Sequence, residues 1–151
     1  MQDLVVWSLD QQRYALPFSV VERVVRVVAF TPLPDAPAIV CGMINLQGRL
    51  LAVIDMRARF GLPLRPLQLS DQLLIARMRK RDVALLVDGV QGLFRRTAEA
   101  PIPTDTVLPD GGSITGIAKF PDGMILIHDL DRCLSLEEEH ALAHALSEAT
   151  S

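Results

Sequence analysis

Gly42 to Gly61 reads "GMINLQGRLLAVIDMRARFG", and Gly116 to Ser135 reads "GIAKFPDGMILIHDLDRCLS". Both stretches open on glycine and an apolar residue, place a second glycine (Gly48, Gly123) after a short polar turn, and run through aliphatic residues to an aspartate. The spacing from the first glycine to that aspartate, Asp55 or Asp129, is the same in both. Two apolar runs around a Gly-containing turn predict a β-hairpin, with the glycine supplying the positive φ of a tight turn. An aspartate between the strand and a charged stretch predicts an N-cap. Each copy therefore reads as a hairpin followed by a capped turn. Such a hairpin is marginal alone, so the repetition predicts two small β units of like design packed on each other.

The rest of the chain extends this pattern. Of its 151 residues, 50% are hydrophobic and only 5% aromatic, so the core is predicted to be aliphatic. Ten prolines and nine glycines break the apolar runs at short intervals, which predicts nine or ten short strands. "LVVWSL" and "YALP" flank a polar turn, Asp10 to Arg13, as a first hairpin. A helical turn after Pro17 is expected to lead into a strand through Val24 to Ala29. "QLLIARM" and "VALLVDGV" pair around the basic run Arg77-Met-Arg-Lys-Arg81, read as a solvated hairpin tip. "DGVQGLF" continues as a strand bent at Gly89 or Gly92. "TPLPDAP" and "AEAPIPTDTVLPDGG" read as loops. Ser135 caps a terminal helix, "LEEEHALAHAL", with acids in its first turn. Many short strands and one helix predict a mainly β barrel or sandwich.

A net charge of −3 and scarce aromatics argue against nucleic acid as a partner. Two isolated cysteines, Cys41 and Cys133, and an N-terminus that begins a strand at once predict a cytoplasmic protein without membrane insertion. Chemistry is sparse. Asp88 with Asp55 or Asp129 is the one carboxylate set that would make a small barrel enzyme, and Asp55 and Asp129 already have a capping role. His140 and His144 share a helix face without a third metal ligand, and His128 reads as a buried or edge histidine. No phosphate-binding glycine loop is present. No cofactor, metal or catalytic residue is expected, and the profile is that of a binding or scaffolding module.

Three segments carry a resemblance. "GMINLQGRLLAVIDMRARFGL" resembles the "G-x-x-N-L-R-G … D-L-R … F-G-L" signature of the CheW family of chemotaxis coupling proteins. "VALLVDGVQGLFR" and "ITGIAKFPDGMILIHDLDRCLS" are similar to that family's later segments, in the same order. The likeness runs from about Leu4 to Leu136. It implies one domain over residues 1–151, built of two intertwined five-stranded SH3-like or OB-like barrels that share a core, with a C-terminal α-helix.

The resemblance also implies a non-enzymatic adaptor that bridges the helical tip of a chemoreceptor to a CheA-type histidine kinase, recruited to membrane receptor arrays. Receptor contact would fall on Val21, Arg23, Gly42, Asn45, Gln47 and Gly48, with the glycines holding backbone shape. Kinase contact would fall on Val87, Asp88, Gly89 and Val90. Two residues depart from the family's pattern: Gln47 stands where arginine is usual and Arg23 where glutamate is usual. The exchange opens the alternative of a different receptor, or of an array that controls pili instead of chemotaxis.

Overall fold

The computed structural model describes residues 3–94, 102–121 and 123–150. Eleven strands lie among them: β1 (Leu4–Leu9), β2 (Gln12–Pro17), β3 (Val21–Arg26), β4 (Val40–Leu46), β5 (Arg49–Asp55), β6 (Gln72–Arg77), β7 (Asp82–Val87), β8 (Gly89–Phe94), β9 (Ile102–Val107), β10 (Ser113–Phe120) and β11 (Gly123–His128). A one-turn helix α1 (Met56–Arg59) follows β5, and helix α2 (Leu136–Ala149) ends the fold.

The strands form two sheets, in the orders β8-β1-β2-β11-β10-β9 and β3-β6-β7-β5-β4. The chain begins in the first sheet, completes the second, and returns to the first, so the two units are intertwined. The repetition in the sequence is a repetition in the sheets. In each, a hairpin runs antiparallel (β1–β2, β6–β7) and its second strand pairs in parallel with the second strand of one repeat (β2 with β11, β7 with β5). Both repeats also carry a bulge at the same place. Val40 faces Ile54 and Gly42 faces Val53, while Ile114 faces His128 and Gly116 faces Ile127, leaving Cys41 and Thr115 as the extra residues. A matched bulge bends each hairpin alike.

Alternation along the strands explains the unbroken apolar runs. In β1, Val5, Trp7 and Leu9 enter a core shared by both sheets, while Leu4 and Val6 face a second cluster private to the first sheet. In β5, Ala52 and Ile54 face the shared core, while Leu51 and Val53 face the private cluster of the second sheet. A strand covered on both faces has no polar face to show. Each fully buried Leu or Ile contributes about 1.5–3 kcal/mol. The shared core is aliphatic at its margins and aromatic at its centre, where Trp7 stacks on Tyr14 at 4.8 Å and Tyr14 meets Phe60 at 4.5 Å. Leu142 and Ala145 of α2 pack into the same core.

Several expectations are corrected. The hydrogen-bond ladders do not close into barrels, and the first sheet has six strands, not five. The extra one is β9, inside the stretch read as a loop; residues 98–101 of that stretch lie outside the described residues. Its proline is tolerated because β9 is an edge strand, paired among the described residues with β10 alone. β3 stops at Arg26 instead of reaching Ala29. Asp129 precedes a 3-10 turn, Leu130–Arg132, but its side chain makes no capping bond, unlike Asp55. The basic tip is only partly solvated: Met78 is buried and Arg81 pairs with Glu139 of α2. The bend in β8 falls at Gly92, where the register against β1 slips between Val6 and Trp7.

Candidate functional site

The β4–β5 turn is a two-residue loop. Leu46 faces Arg49, and both residues between them are left-handed, Gln47 at φ 52° and Gly48 at φ 89°. This is the hairpin geometry that matches strand twist, and it places a glutamine where glycine or asparagine is favoured. Asn45 stabilises the turn: its Oδ1 accepts from the Gly48 N–H at 2.8 Å. Gly42 lies where the connection from β3 crosses β4. A Cβ there would stand 2.8 Å from Phe30 Cβ and 2.8 Å from the Thr31 carbonyl oxygen. The bare backbone lets Thr31 and Met43 exchange both of their hydrogen bonds, at 2.9 and 2.8 Å.

Curling of the second sheet brings its two edges together at this turn. Arg23 of β3 donates from Nη2 to Gln47 Oε1 at 3.4 Å, so the two departures from the expected pattern meet each other. Beside them lies an acid–base group that the sequence reading did not single out. Arg49 donates to Glu22 at 2.6 Å and to Asp82 at 2.9 Å, and Arg23 Nε lies 3.4 Å from the same Glu22 oxygen. The Arg49 hydrogen bond holds the Glu22 carboxyl below the usual range, with Arg23 and Arg77 adding to the effect. Val21 starts β3 half-buried against the shared core. Val21, Arg23, Gly42, Asn45, Gln47 and Gly48 thus all lie on the second sheet, in β3, in β4 and at the turn that follows it.

The second expected set lies where the chain crosses between the sheets. Val87 is 1% exposed and belongs to the core. Gly89 and Val90 are half-buried at the start of β8, and the Val90 N–H donates to Gln72 Oε1 at 2.8 Å. Asp88 is enclosed by cations. Arg57 of α1 reaches it with Nε at 2.9 Å and Nη2 at 2.6 Å, Arg65 reaches it at 2.9 Å, and the Asp10 N–H donates to it at 2.7 Å. Arg57 also pairs with the Asp10 carboxylate and donates to the Pro63 carbonyl at 3.0 Å, while Arg65 also holds buried Asp71 at 2.7 Å. Burial alone would raise the Asp88 carboxyl, but the hydrogen bond from Arg57 and the nearby charges hold it below the usual range. A carboxylate so occupied is a structural anion, unsuited to general acid or base work. Asp55, one of the two carboxylates expected as its alternative partners, spends its side chain on the Arg57 and Ala58 N–H groups.

Arginines at the other side of α1 and on the β6–β7 tip fasten the terminal helix. Arg59, 6% exposed, donates to the Cys133 carbonyl at 2.6 Å, to Glu138 at 2.8 Å and to the Asp110 carbonyl at 2.8 Å. Glu138 also completes the capping box with Ser135. Signals for these contacts were present as the paired arginines of "DMRAR" and the triple glutamate of α2, but their partners are remote in sequence. His128 is buried as expected, 2.6 Å from the Ser113 carbonyl through Nδ1. His140 and His144 are exposed on α2, His144 near Glu148 at 3.8 Å.

The family model described as CheW-like domain matches residues 3–138. The chain belongs to the CheW-like domain family. Among CheW proteins, the Chemotaxis protein CheW of Rhizobium meliloti (strain 1021) is 28% identical over 142 residues, covering 93% of this chain and 92% of that protein. The Chemotaxis protein CheW of Thermotoga maritima is 26% identical over 132 residues, covering 87% of each. Among solved CheW structures, the crystal structure of scaffolding protein TtCheW from Thermoanaerobacter tengcongensis matches with a TM-score of 0.81 at 30% identity, over 91% of this chain and 94% of that one. The resemblance read from the sequence, and the mainly β architecture it implied, agree with this family. No helix among the described residues is long and apolar enough to cross a membrane.

Proposed function

We propose that this chain is a non-enzymatic coupling protein, joining the helical tip of a chemoreceptor to a CheA-type histidine kinase in the cytoplasm. The CheW-like match over residues 3–138 carries the reading. The engaged state of Asp88 supports it over the enzyme alternative, because the carboxylate such an enzyme would use is held by two arginines. The chain acts as a single unit, residues 1–151, in which a shared core keeps two faces in fixed relation. Such an adaptor needs only two surfaces and a rigid body between them.

The receptor face is the curled edge of the second sheet. Arg23, Asn45, Gln47 and Val21 supply side chains, and Gly42 and Gly48 set the backbone that presents them. The kinase face is the crossing from β7 to β8, where Gly89 and Val90 approach the surface while Val87 and Asp88 anchor the segment from inside. Co-sedimentation with receptor-containing membranes and a CheA-type kinase tests the reading. The chain is expected in the pellet with both, and its absence from the pellet with either partner overturns the adaptor role.

A further inference from the structure

Among the described residues, arginines outnumber carboxylates at this edge of the second sheet, in a chain whose net charge is −3. Three guanidiniums gather there. Arg23 and Arg49 touch Glu22, Arg77 acts on the same carboxylate through space, and Arg77 sits opposite Asp82 across β6 and β7. They face two carboxylates, Glu22 and Asp82. Arg49 takes the short contacts to both, at 2.6 and 2.9 Å.

Arg23 is only weakly neutralised. Its contact with Glu22 is 3.4 Å, to an oxygen already held by Arg49, and its other partner is the neutral amide of Gln47, also at 3.4 Å. The Arg23 side chain is 41% exposed. Gln47 has no charge to offer it, and Asn45 is committed to the turn. An exposed, under-paired guanidinium at a rigid edge is a donor fork awaiting a planar anion.

We infer that Arg23 selects a receptor tip that places a glutamate or aspartate against it, with Gln47 Oε1 holding the guanidinium in orientation until the carboxylate arrives. This rests on the adaptor reading and adds the partner's chemistry to it. Charge at the rim of an interface governs encounter and partner choice more than total affinity, so the pairing acts as a filter. A tip with a cation at that position is repelled by Arg23, and Gln47 offers nothing to offset the repulsion.

The test uses the full chain and a soluble cytoplasmic tip fragment of a chemoreceptor, as wild type and with each acidic residue of the tip changed in turn to arginine. Binding is measured at low and moderate salt. Arg23→Glu is expected to weaken binding about tenfold at low salt and less at moderate salt, and Arg23→Lys, which keeps the charge but not the fork, to bind between wild type and Arg23→Glu. One acidic-to-arginine change in the fragment is expected to restore binding to Arg23→Glu. Arg26→Gln, at the far end of β3, is expected to bind as wild type. The thermal midpoint of each variant shows that the fold is kept, with Arg23→Gln as the milder variant. Equal binding by wild type and Arg23→Glu overturns the inference and leaves the adaptor reading standing. So does a loss that no single change in the fragment restores. A wild-type chain that binds no receptor fragment overturns both.

Discussion

Arg57 holds Asp88 through two nitrogens, Nε at 2.9 Å and Nη2 at 2.6 Å, and so ties α1 to the crossing between the two sheets. The same guanidinium pairs with Asp10 in the β1–β2 turn of the first sheet. One side chain from the second sheet's repeat thereby fixes a turn of the first. Removing Arg57 leaves the partly buried Asp88 with Arg65 as its one remaining cation among the described residues. Arg57→Ala is expected to cost about 2–4 kcal/mol, read as a fall in the urea midpoint at unchanged slope. Asp88→Asn keeps the shape and loses the charge, and is expected to cost about half as much. A midpoint unchanged in both variants would show that packing alone sets the crossing.

The buried imidazole of His128 gives a pH dependence of known sign. Nδ1 lies 2.6 Å from the Ser113 carbonyl, so it carries the proton and donates, while Nε2 is buried with no hydrogen-bond partner among the described residues. Protonating Nε2 would bury a charge with no acceptor, and burial pushes the group down to about 4. The unfolded chain binds the proton near the ordinary value of about 6.5. Between these values the unfolded state holds more protons, so stability falls as pH falls from about 6.5 to about 4, by an amount on the order of 3 kcal/mol. Urea melts at pH 7 and pH 5 read about 2 kcal/mol of it. The difference is expected to shrink sharply in His128→Asn, whose amide can donate from the Nδ1 position to Ser113 and does not titrate.

The β4–β5 turn separates shape from contact. Gly42→Ala would drive Cβ into Phe30 and the Thr31 carbonyl, and is expected to destabilise by about 1–3 kcal/mol through displacement of that segment from β4. Gln47→Gly should act in the opposite direction. The left-handed φ of Gln47 is strained for a residue with a Cβ, and its relief is worth about 1 kcal/mol. A melting series on the two variants checks both signs. If Gln47→Gly raises stability yet weakens receptor binding, the glutamine is kept for its side chain at the cost of the turn.

Much of this could be read from the sequence because the hairpins are local. The repeat from Gly42 and the repeat from Gly116 each encode their turn, bulge and strand alternation within about twenty residues, and the family resemblance rests on those same residues. What escaped reading was long-range or exposed. β9 is an edge strand whose residues are mostly exposed and only half apolar, so neither alternation nor hydrophobicity marks it. The open ladders depend on pairings between distant segments. In the candidate site, Asn45, Gln47 and Arg23 were singled out, but the pairing of Arg49 with Glu22 and Asp82 beside them joins distant segments and is made by the sheet. Asp129 looked identical to Asp55 in its local setting. Its strand leads into a 3-10 turn in which the side chain makes no capping bond, a difference the spacing could not encode.

Attachment of the terminal helix depends on Arg59, and this can be separated from global stability. Arg59 joins three segments: α1 itself, the Asp110 carbonyl before β10, and the start of α2 through Cys133 and Glu138. Glu138 serves twice, accepting from Arg59 and from the Ser135 N–H of the capping box. Glu138→Gln keeps a group able to accept from Ser135 but removes the charge opposite Arg59, and is expected to cost about 1–2 kcal/mol. Arg59→Met leaves two carbonyls without their donor in a buried setting and is expected to cost about 3 kcal/mol or more. The losses should concentrate in α2. Its N-terminal turn is released, while Leu142 and Ala145 still hold the middle of the helix in the core. Amide hydrogen exchange resolved by residue is expected to show faster exchange in the first turns of α2 in Glu138→Gln, with β5 and β7 unchanged. Uniform acceleration across both sheets would mean instead that the helix and the sheets unfold as one unit.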